Sequence, residues 1–430
     1  MDSQLTLNPA KKLKGRIEVP SDKSLTHRSI LLSSLGLGSS QINNPLLSED
    51  CLSTAHCMES LGVKIKREGK TWLVEGKGLW GFQKPSAPLN CGNSGTTMRL
   101  LSGILAAQEF ESELFGDASL SKRPMDRVSK PLEKMGAQFY LQNEKYAPFK
   151  IKGTRKLKPI HWKNPVASAQ VKSSVLLAAL HTNGETIFEE PSLSRDHTER
   201  MFLACGVILK TEGTKIRLMG PSQLKSQIWD IPGDPSSAAF FVVAGLLFPG
   251  AELSLQSVNL NPTRIGFIEV LQSAGANIDF NNKRLVCGEP CADISVKSQK
   301  RLNAFKIDEE MAPKLIDEIP ILAVAATQAQ GMSTFKGIGE LRVKETDRIT
   351  AIVENLQKMG AKIRELPDGF TIEGPTALRG AEIKSFDDHR IAMSGAVASL
   401  IASSQTHIVG SESVAISFPT FWETLRKLTE

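Results

Sequence analysis

Two phrases recur along this chain, and their spacing constrains the fold more than any other feature. The first is a polar opening into an apolar, helix-like run, beginning at Ser24, Ser94, Ser168, Ser236, Asp317 and Asp388. Ser or Asp before such a run is an N-cap signal, so each copy predicts a helix start. The second phrase closes a helix on glycine and re-enters a strand, at Gly62, Gly136, Gly206, Gly275 and Gly360. Glycine past the last helical turn, followed by alternation such as Lys362-Ile363-Arg364, reads as helix, turn, strand. The two series keep step at roughly 70–80 residues, longer than solenoid repeats. A sixth glycine copy falls at the end of the chain, so the last helix (about 419–428) is expected to close its unit with the strand Gly15 to Val19.

Six β/α units of this kind predict α/β packing, with helices buried against sheets, in two similar lobes of three units. A chain of 430 residues exceeds one ordinary core. Pro20-Ser21-Asp22 and Ile231-Pro232-Gly233-Asp234 are natural crossings. They predict a first lobe of residues 1–21 plus 232–430 and a second of 22–231.

Composition excludes several classes. Lys+Arg 52 against Asp+Glu 46 gives a formal charge of +6, which suits an anionic small molecule better than a nucleic acid. Aromatics are 6%, and none interleave with Lys/Arg as a base-stacking platform requires. The longest apolar run, Ala238 to Phe248, falls short of the roughly twenty residues of a membrane span, and Met1 to Pro20 has no apolar leader core. The six cysteines include no C-x-x-C pair, so free thiols and a cytoplasmic location are expected, without a metal.

The helix starts carry the chemistry. Helix N-termini present unpaired N–H groups and partial positive charge, and so bind anions. Ser24/Arg28, Gly95/Arg99, Ser168/Lys172 and Lys344/Arg348 are i, i+4 pairs that place a cation one turn inside that end. Four such pairs at matching repeat positions predict a shared anion cleft. Lys23, Ser24 and Arg28 together suit a phosphate or carboxylate, and Gly95 lets a ligand approach the main chain. Lys122-Arg123 alone reads as a solvated basic pair. Glu345, among the cations of Arg342 to Arg348, is either part of an exposed helix end or an acid/base inside an anion site. Asp317-Glu318 and Asp387-Asp388 either cap their helices or aim a general base. Arg195 to Glu199 looks like a triad fragment, but neighbouring helical residues diverge and no G-x-S-x-G accompanies it. No H-E-x-x-H pattern and no G-x-G-x-x-G after a strand occurs, which argues against a metal or dinucleotide cofactor.

Taken together, Ser21 to Arg28, Gly92 to Arg99, Lys122 to Arg127, Ser168-Ala169-Gln170, Arg342 to Arg348 and Asp388 to Met393 resemble the EPSP synthase family, the 3-phosphoshikimate 1-carboxyvinyltransferases. The resemblance runs through essentially the whole chain. It implies two lobes, each of three repeated βαβαββ units (an inside-out α/β barrel), with the active site in the interdomain cleft. It implies transfer of the enolpyruvyl group of phosphoenolpyruvate to the 5-hydroxyl of shikimate 3-phosphate, without a cofactor. By the same resemblance Lys23, Ser24, Arg28, Ser168, Gln170, Ser194, Asp317 and Lys344 hold shikimate 3-phosphate. Lys23, Gly95, Arg123, Gln170, Arg348 and Arg390 surround phosphoenolpyruvate. Asp317, Glu345 and Lys23 are the implied catalytic residues: base, proton carrier at C3, and an aid to transfer or phosphate departure.

The chain departs from the family at three places. Ala169 stands where many members have a second serine, Ala415-Ile416-Ser417 where many have a lysine, and Glu340 where some have asparagine. Gly95 leaves room for the inhibitor glyphosate, and a monomer is expected. The nearest alternative is UDP-N-acetylglucosamine 1-carboxyvinyltransferase, whose loop carries a cysteine where this chain has Ala118 and which prefers Lys-Asn at Lys23-Ser24. An RNA-end-binding module on a related scaffold would need a broad basic face.

Overall fold

The computed structural model describes residues 4–298 and 301–430. The parts of the predicted first lobe and N-terminal stretch at 1–3, and of that lobe at 299–300, lie outside the described residues. Contacts divide the chain into two compact units. One comprises 4–20, Pro232–Arg284 and Pro290–Glu430; the other comprises Ser21–Ile231 with Leu285–Glu289. The short segment 285–289 thus groups with the second unit, not with the lobe expected from the sequence. Its attachments explain this: Glu289 is fully buried against His197 Nδ1 at 2.8 Å, and Cys287 Sγ reaches the Asp230 carbonyl at 3.1 Å.

The repeat is visible strand by strand. In one copy Leu89–Asn90 precedes the helix Gly95–Leu105, Glu111–Phe115 follows, and after the helix Asp126–Met135 come Gln138–Gln142 and Tyr146–Lys152. The first two strands pair in parallel, Leu89 opposite Leu114, and the last two add antiparallel. The same order recurs with His161–Lys163, Gly184–Glu189, Lys215–Gly220 and Leu209–Glu212. Two strands exchange places. Lys14–Ile17 precedes the helix Lys23–Leu35 but pairs with Glu252–Asn259 in the other unit's sheet. Ile228–Asp230 precedes Pro235–Leu247 but pairs with Gly36–Asn43. The chain therefore changes units next to each of the two proline-bearing stretches, besides the short excursion at 285–289.

All five phrase-ending glycines adopt positive φ (82° to 116°), the left-handed conformation that favours glycine after a helix. Strands follow each one. The sixth unit differs from expectation. The terminal helix Phe421–Thr429 does pack on Lys14–Ile17, where a Cβ on Gly15 would sit 2.7 Å from Leu428. The strand that completes the sixth sheet is instead Gln4–Leu7, antiparallel to Thr406–Val409. Alternation in so short and exposed a strand gives little signal.

Three helices form the heart of each unit. In Pro235–Leu247, Ile319–Gln328 and His389–Leu400 nearly every side chain is buried. Such helices are apolar all round and need partners on every side. In the other unit, a Cβ on Gly103 would meet the Ser174 carbonyl at 2.1 Å, so glycine is what lets Gly95–Leu105 approach Ala169–Ala179. Among the described residues no helix is long and apolar enough to cross a membrane. All six cysteines are free.

Candidate active site

The caps show how sequence sets each helix start. Ser94, Ser168 and Asp388 are N-caps as expected, their side chains accepting from Thr97, Val171 and Arg390 N–H. The expected starts at Ser24 and Ser236 shift by two residues, because the carboxylates of Asp22 and Asp234 cap first, accepting from Leu25 N–H at 2.9 Å and Ser236 N–H at 2.8 Å. Asp317 lies in a 3-10 turn, Ile316–Glu318, just before its helix.

In the unit Ser21–Ile231, Lys23 opens its helix with its ammonium 3.1 Å from Asp50. Burial alone would raise the Asp50 carboxyl, but Lys23 and His27 hold it below the usual range. Half-buried Ser24 gives its carbonyl to Arg28 Nη1 at 3.0 Å, while Arg28 Nε and Nη2 donate to Thr198 and Ser173 hydroxyls, each at 2.8 Å. Burial pushes Arg28 down to about 10, against the pull of Glu199 and Asp22. A guanidinium held by neutral oxygens keeps its charge for an incoming anion.

Gln170 is tied between Arg99 Nη1, which donates to Oε1, and the Thr96 hydroxyl, 3.0 Å from Nε2. Arg123 Nη2 donates to Asn93 Oδ1 at 2.7 Å and Ser119 Oγ at 3.2 Å. A Cβ on Gly95 would lie 3.1 Å from Arg99 Nη1 and 3.7 Å from Arg123 Nη1. Gly95 therefore leaves open the space before two guanidiniums. Gly95→Ala should fold, since flexible arginine ends can yield.

The Ser168/Lys172 pair is corrected. Ser168 caps, but Lys172 is buried between Glu190 Oε1 at 3.0 Å and Glu199 Oε1 at 2.7 Å, and is spent on them. Ser194, next to this cluster, is also buried.

In the other unit Arg348, 1% exposed, meets three carboxylates: Asp388 Oδ2 at 2.7 Å, Glu345 Oε2 at 2.6 Å and Asp317 Oδ1 at 3.5 Å. Burial opposes its charge, but Asp388, Glu345 and Asp317 outweigh it and raise the guanidinium further above its already high value. Asp388 also caps its helix, and its side chain is wholly buried. Arg390 Nη1 donates to the Asp317 carbonyl at 3.1 Å. Asp317, Glu345, Arg348 and Arg390 are thus one cluster. Phe386 and Asp387, both at positive φ, turn the chain into it, a strained conformation of the kind that gathers at functional sites.

Lys344 does not share a helical face with Arg348. The helix starts only at Arg348, capped by Asp347, and Lys344 follows the 3-10 turn Gly339–Val343 in extended backbone. Its nearest carboxylate is Glu340, at 3.9 Å. Ile416, 37% exposed, ends the 3-10 helix Ser411–Ile416.

Comparison with known proteins identifies the family. The chain matches the EPSP synthase (3-phosphoshikimate 1-carboxyvinyltransferase) family over residues 7–425. The chain belongs to the EPSP synthase family. It is 50% identical over 421 residues to a 3-phosphoshikimate 1-carboxyvinyltransferase of Syntrophomonas wolfei, covering 97% of this chain and 98% of that one. The EPSP synthase of Acinetobacter baumannii, a solved structure, shares 44% identity at a TM-score of 0.91, covering 99% of this chain and 98% of that one. The enolpyruvyl transferase NikO of Streptomyces tendae, at 15% identity and a TM-score of 0.79 over 100% of this chain and 98% of that one, shares the fold.

Several residues of this EPSP synthase family member escaped sequence reasoning. Asp50, Glu190 and Arg264 pair with partners distant in sequence. Arg264 Nη2 donates to Asp234 at 3.0 Å and to Ser236 Oγ at 2.9 Å, and Ser236 Oγ in turn donates to Glu318, beside Asp317. Only the cap at Asp234 had a local signal. His27 was also missed. It is buried, with Nδ1 2.6 Å from Thr54 Oγ1 and, among the described residues, no hydrogen-bond partner for Nε2. Burial, aided by Lys23 and Arg28 and opposed by Asp50, pushes its pKa from 6.5 down to about 3. Between those values the unfolded chain binds a proton that the folded chain refuses, so this group's contribution to stability falls as pH drops, by about 1.4 kcal/mol per unit. His27→Asn, which can still bond Thr54, should lose about 2–3 kcal/mol less than the parent between pH 6.5 and 4.5. Urea titrations at both pH values with parallel losses would contradict this.

Proposed function

We infer that the chain transfers the enolpyruvyl group of phosphoenolpyruvate to the 5-hydroxyl of shikimate 3-phosphate, giving 5-enolpyruvylshikimate 3-phosphate and phosphate. The observation that carries this reading is the near-full-length identity to 3-phosphoshikimate 1-carboxyvinyltransferases. It places the chain in the shikimate pathway toward chorismate and the aromatic amino acids. The sister transfer to UDP-N-acetylglucosamine is not favoured by those relatives.

The residue roles are our assignment. Lys23, Ser24, Arg28, Ser168, Gln170, Ser194, Asp317 and Lys344 bind shikimate 3-phosphate. Lys23, Gly95, Arg123, Gln170, Arg348 and Arg390 bind phosphoenolpyruvate. Addition begins with a proton delivered to C3, which builds cationic character at C2. The 5-hydroxyl oxygen bonds to C2 as its own proton passes to a base, forming a tetrahedral intermediate. Elimination returns a C3 proton to the protein, and the C–O bond to phosphate breaks as the vinyl group reforms. Glu345 carries the C3 proton and Asp317 takes the hydroxyl proton. Both flank Arg348, so an arriving carboxylate that claims the guanidinium releases Glu345 for proton transfer. Lys23 stabilises departing phosphate.

Because C3 passes through a methyl group, turnover in deuterium oxide should leave deuterium in the product's vinyl group, read by mass spectrometry. Product with protium alone would contradict addition and elimination. Free thiols fit a reducing, cytoplasmic location. The space at Gly95 supports glyphosate inhibition at micromolar concentration, competitive with phosphoenolpyruvate. Full activity at millimolar glyphosate would reject the latter.

A further inference from the structure

We propose that Lys172, Glu190 and Glu199 are positioning residues for shikimate 3-phosphate, clamping Ser194 and Arg28 in place. This rests on the substrate reading above. Glu190 Oε1 accepts from Ser194 N–H at 2.9 Å, while Lys172 Nζ donates to the Ser194 carbonyl at 3.3 Å. Lys172 also bonds both carboxylates. The backbone of Ser194 is therefore held on both sides by one ion pair. Its hydroxyl, on a residue only 5% exposed, has no hydrogen-bond partner among the described residues. A buried hydroxyl left open is costly unless a ligand completes it.

The same two helices fix Arg28. Ser173, next to Lys172, and Thr198, next to Glu199, bond one another at 2.7 Å and accept from Arg28 Nη2 and Nε. Among the described residues, the hydrogen bonds that hold Arg28 end on neutral oxygens. The cluster thus fixes both residues while leaving the Arg28 guanidinium without a hydrogen-bonded carboxylate among the described residues, and the Ser194 hydroxyl open to a ligand. Buried ion clusters are often replaceable by apolar groups without loss of stability. One that ends on the backbone of a single loop residue is better explained by placement of that residue.

The test is steady-state kinetics on folded variants of the full chain. Glu190→Ala should raise the KM for shikimate 3-phosphate about tenfold, with a smaller change in kcat and in the KM for phosphoenolpyruvate. Glu190→Gln keeps an acceptor for the Ser194 N–H and should return the KM to within about threefold of the parent. Glu190→Asp keeps the charge on a shorter arm and should fall between them, and it serves if the alanine variant does not fold. An unchanged shikimate 3-phosphate KM in folded Glu190→Ala or Glu190→Asp, while Ser194→Ala raises it, overturns the clamp and leaves the substrate reading standing. No phosphate release by the parent protein with shikimate 3-phosphate would instead overturn the reading, and the clamp with it.

Discussion

Replacing Arg348 by methionine should cost about 3–5 kcal/mol of stability, the range for breaking a buried ion pair by removing one partner. The reason is Asp388. Its side chain is 0% exposed and bonds Arg348 Nε at 2.7 Å, so without the guanidinium a carboxylate is stranded in the interior. The helix His389–Leu400 that it caps is one of the three central helices of its unit, so the penalty falls on the core. Adding Asp388→Asn should recover much of the loss, because asparagine still caps but carries no charge. The double-mutant cycle, measured by urea unfolding, should therefore show strong coupling. Additive losses, or an unchanged midpoint in Arg348→Met, would contradict the geometry. Phosphoenolpyruvate affinity should also fall, by roughly 2–5 kcal/mol if the arginine pairs with its anion.

Glu345→Gln and Asp317→Ala should each lower kcat by roughly 10²–10⁴-fold, the usual range for a general acid or base. Of the three carboxylates around Arg348, Asp388 is closed off, whereas the Asp317 and Glu345 side chains are 17% and 30% exposed. Those two are the ones a substrate can reach. The reaction moves protons at two different atoms, C3 and the 5-hydroxyl, so each loss should appear in turnover more than in stability. Near-normal turnover in both variants would remove the assignment.

The parts of the fold written in short patterns were legible. Gly62, Gly136, Gly206, Gly275 and Gly360 all take the left-handed turn their positions imply, because that requirement is local. Helix starts were legible to within two residues, since Asp22 and Asp234 compete with the serines that follow them and carboxylates cap well. What failed was long-range. Lys172 looks like a cleft cation by its spacing, and only the fold brings Glu190 and Glu199 to neutralise it. Lys344 and Arg348 are four residues apart, but Asp347 caps between them and breaks the shared helical face. Gln4–Leu7 completes a sheet whose other strands lie at the far end of the chain, which no local window contains. In the site, Asp317, Glu345, Arg348 and Arg390, named through the family resemblance, stand in one cluster. Asp388 acquired a second role, as the buried partner of Arg348, that depends on packing.

The most direct measurement of the central claim is phosphate release from phosphoenolpyruvate by the purified protein, with shikimate 3-phosphate or UDP-N-acetylglucosamine as acceptor. Release that requires shikimate 3-phosphate is the predicted result. Release only with the nucleotide sugar, or with neither acceptor, would contradict it.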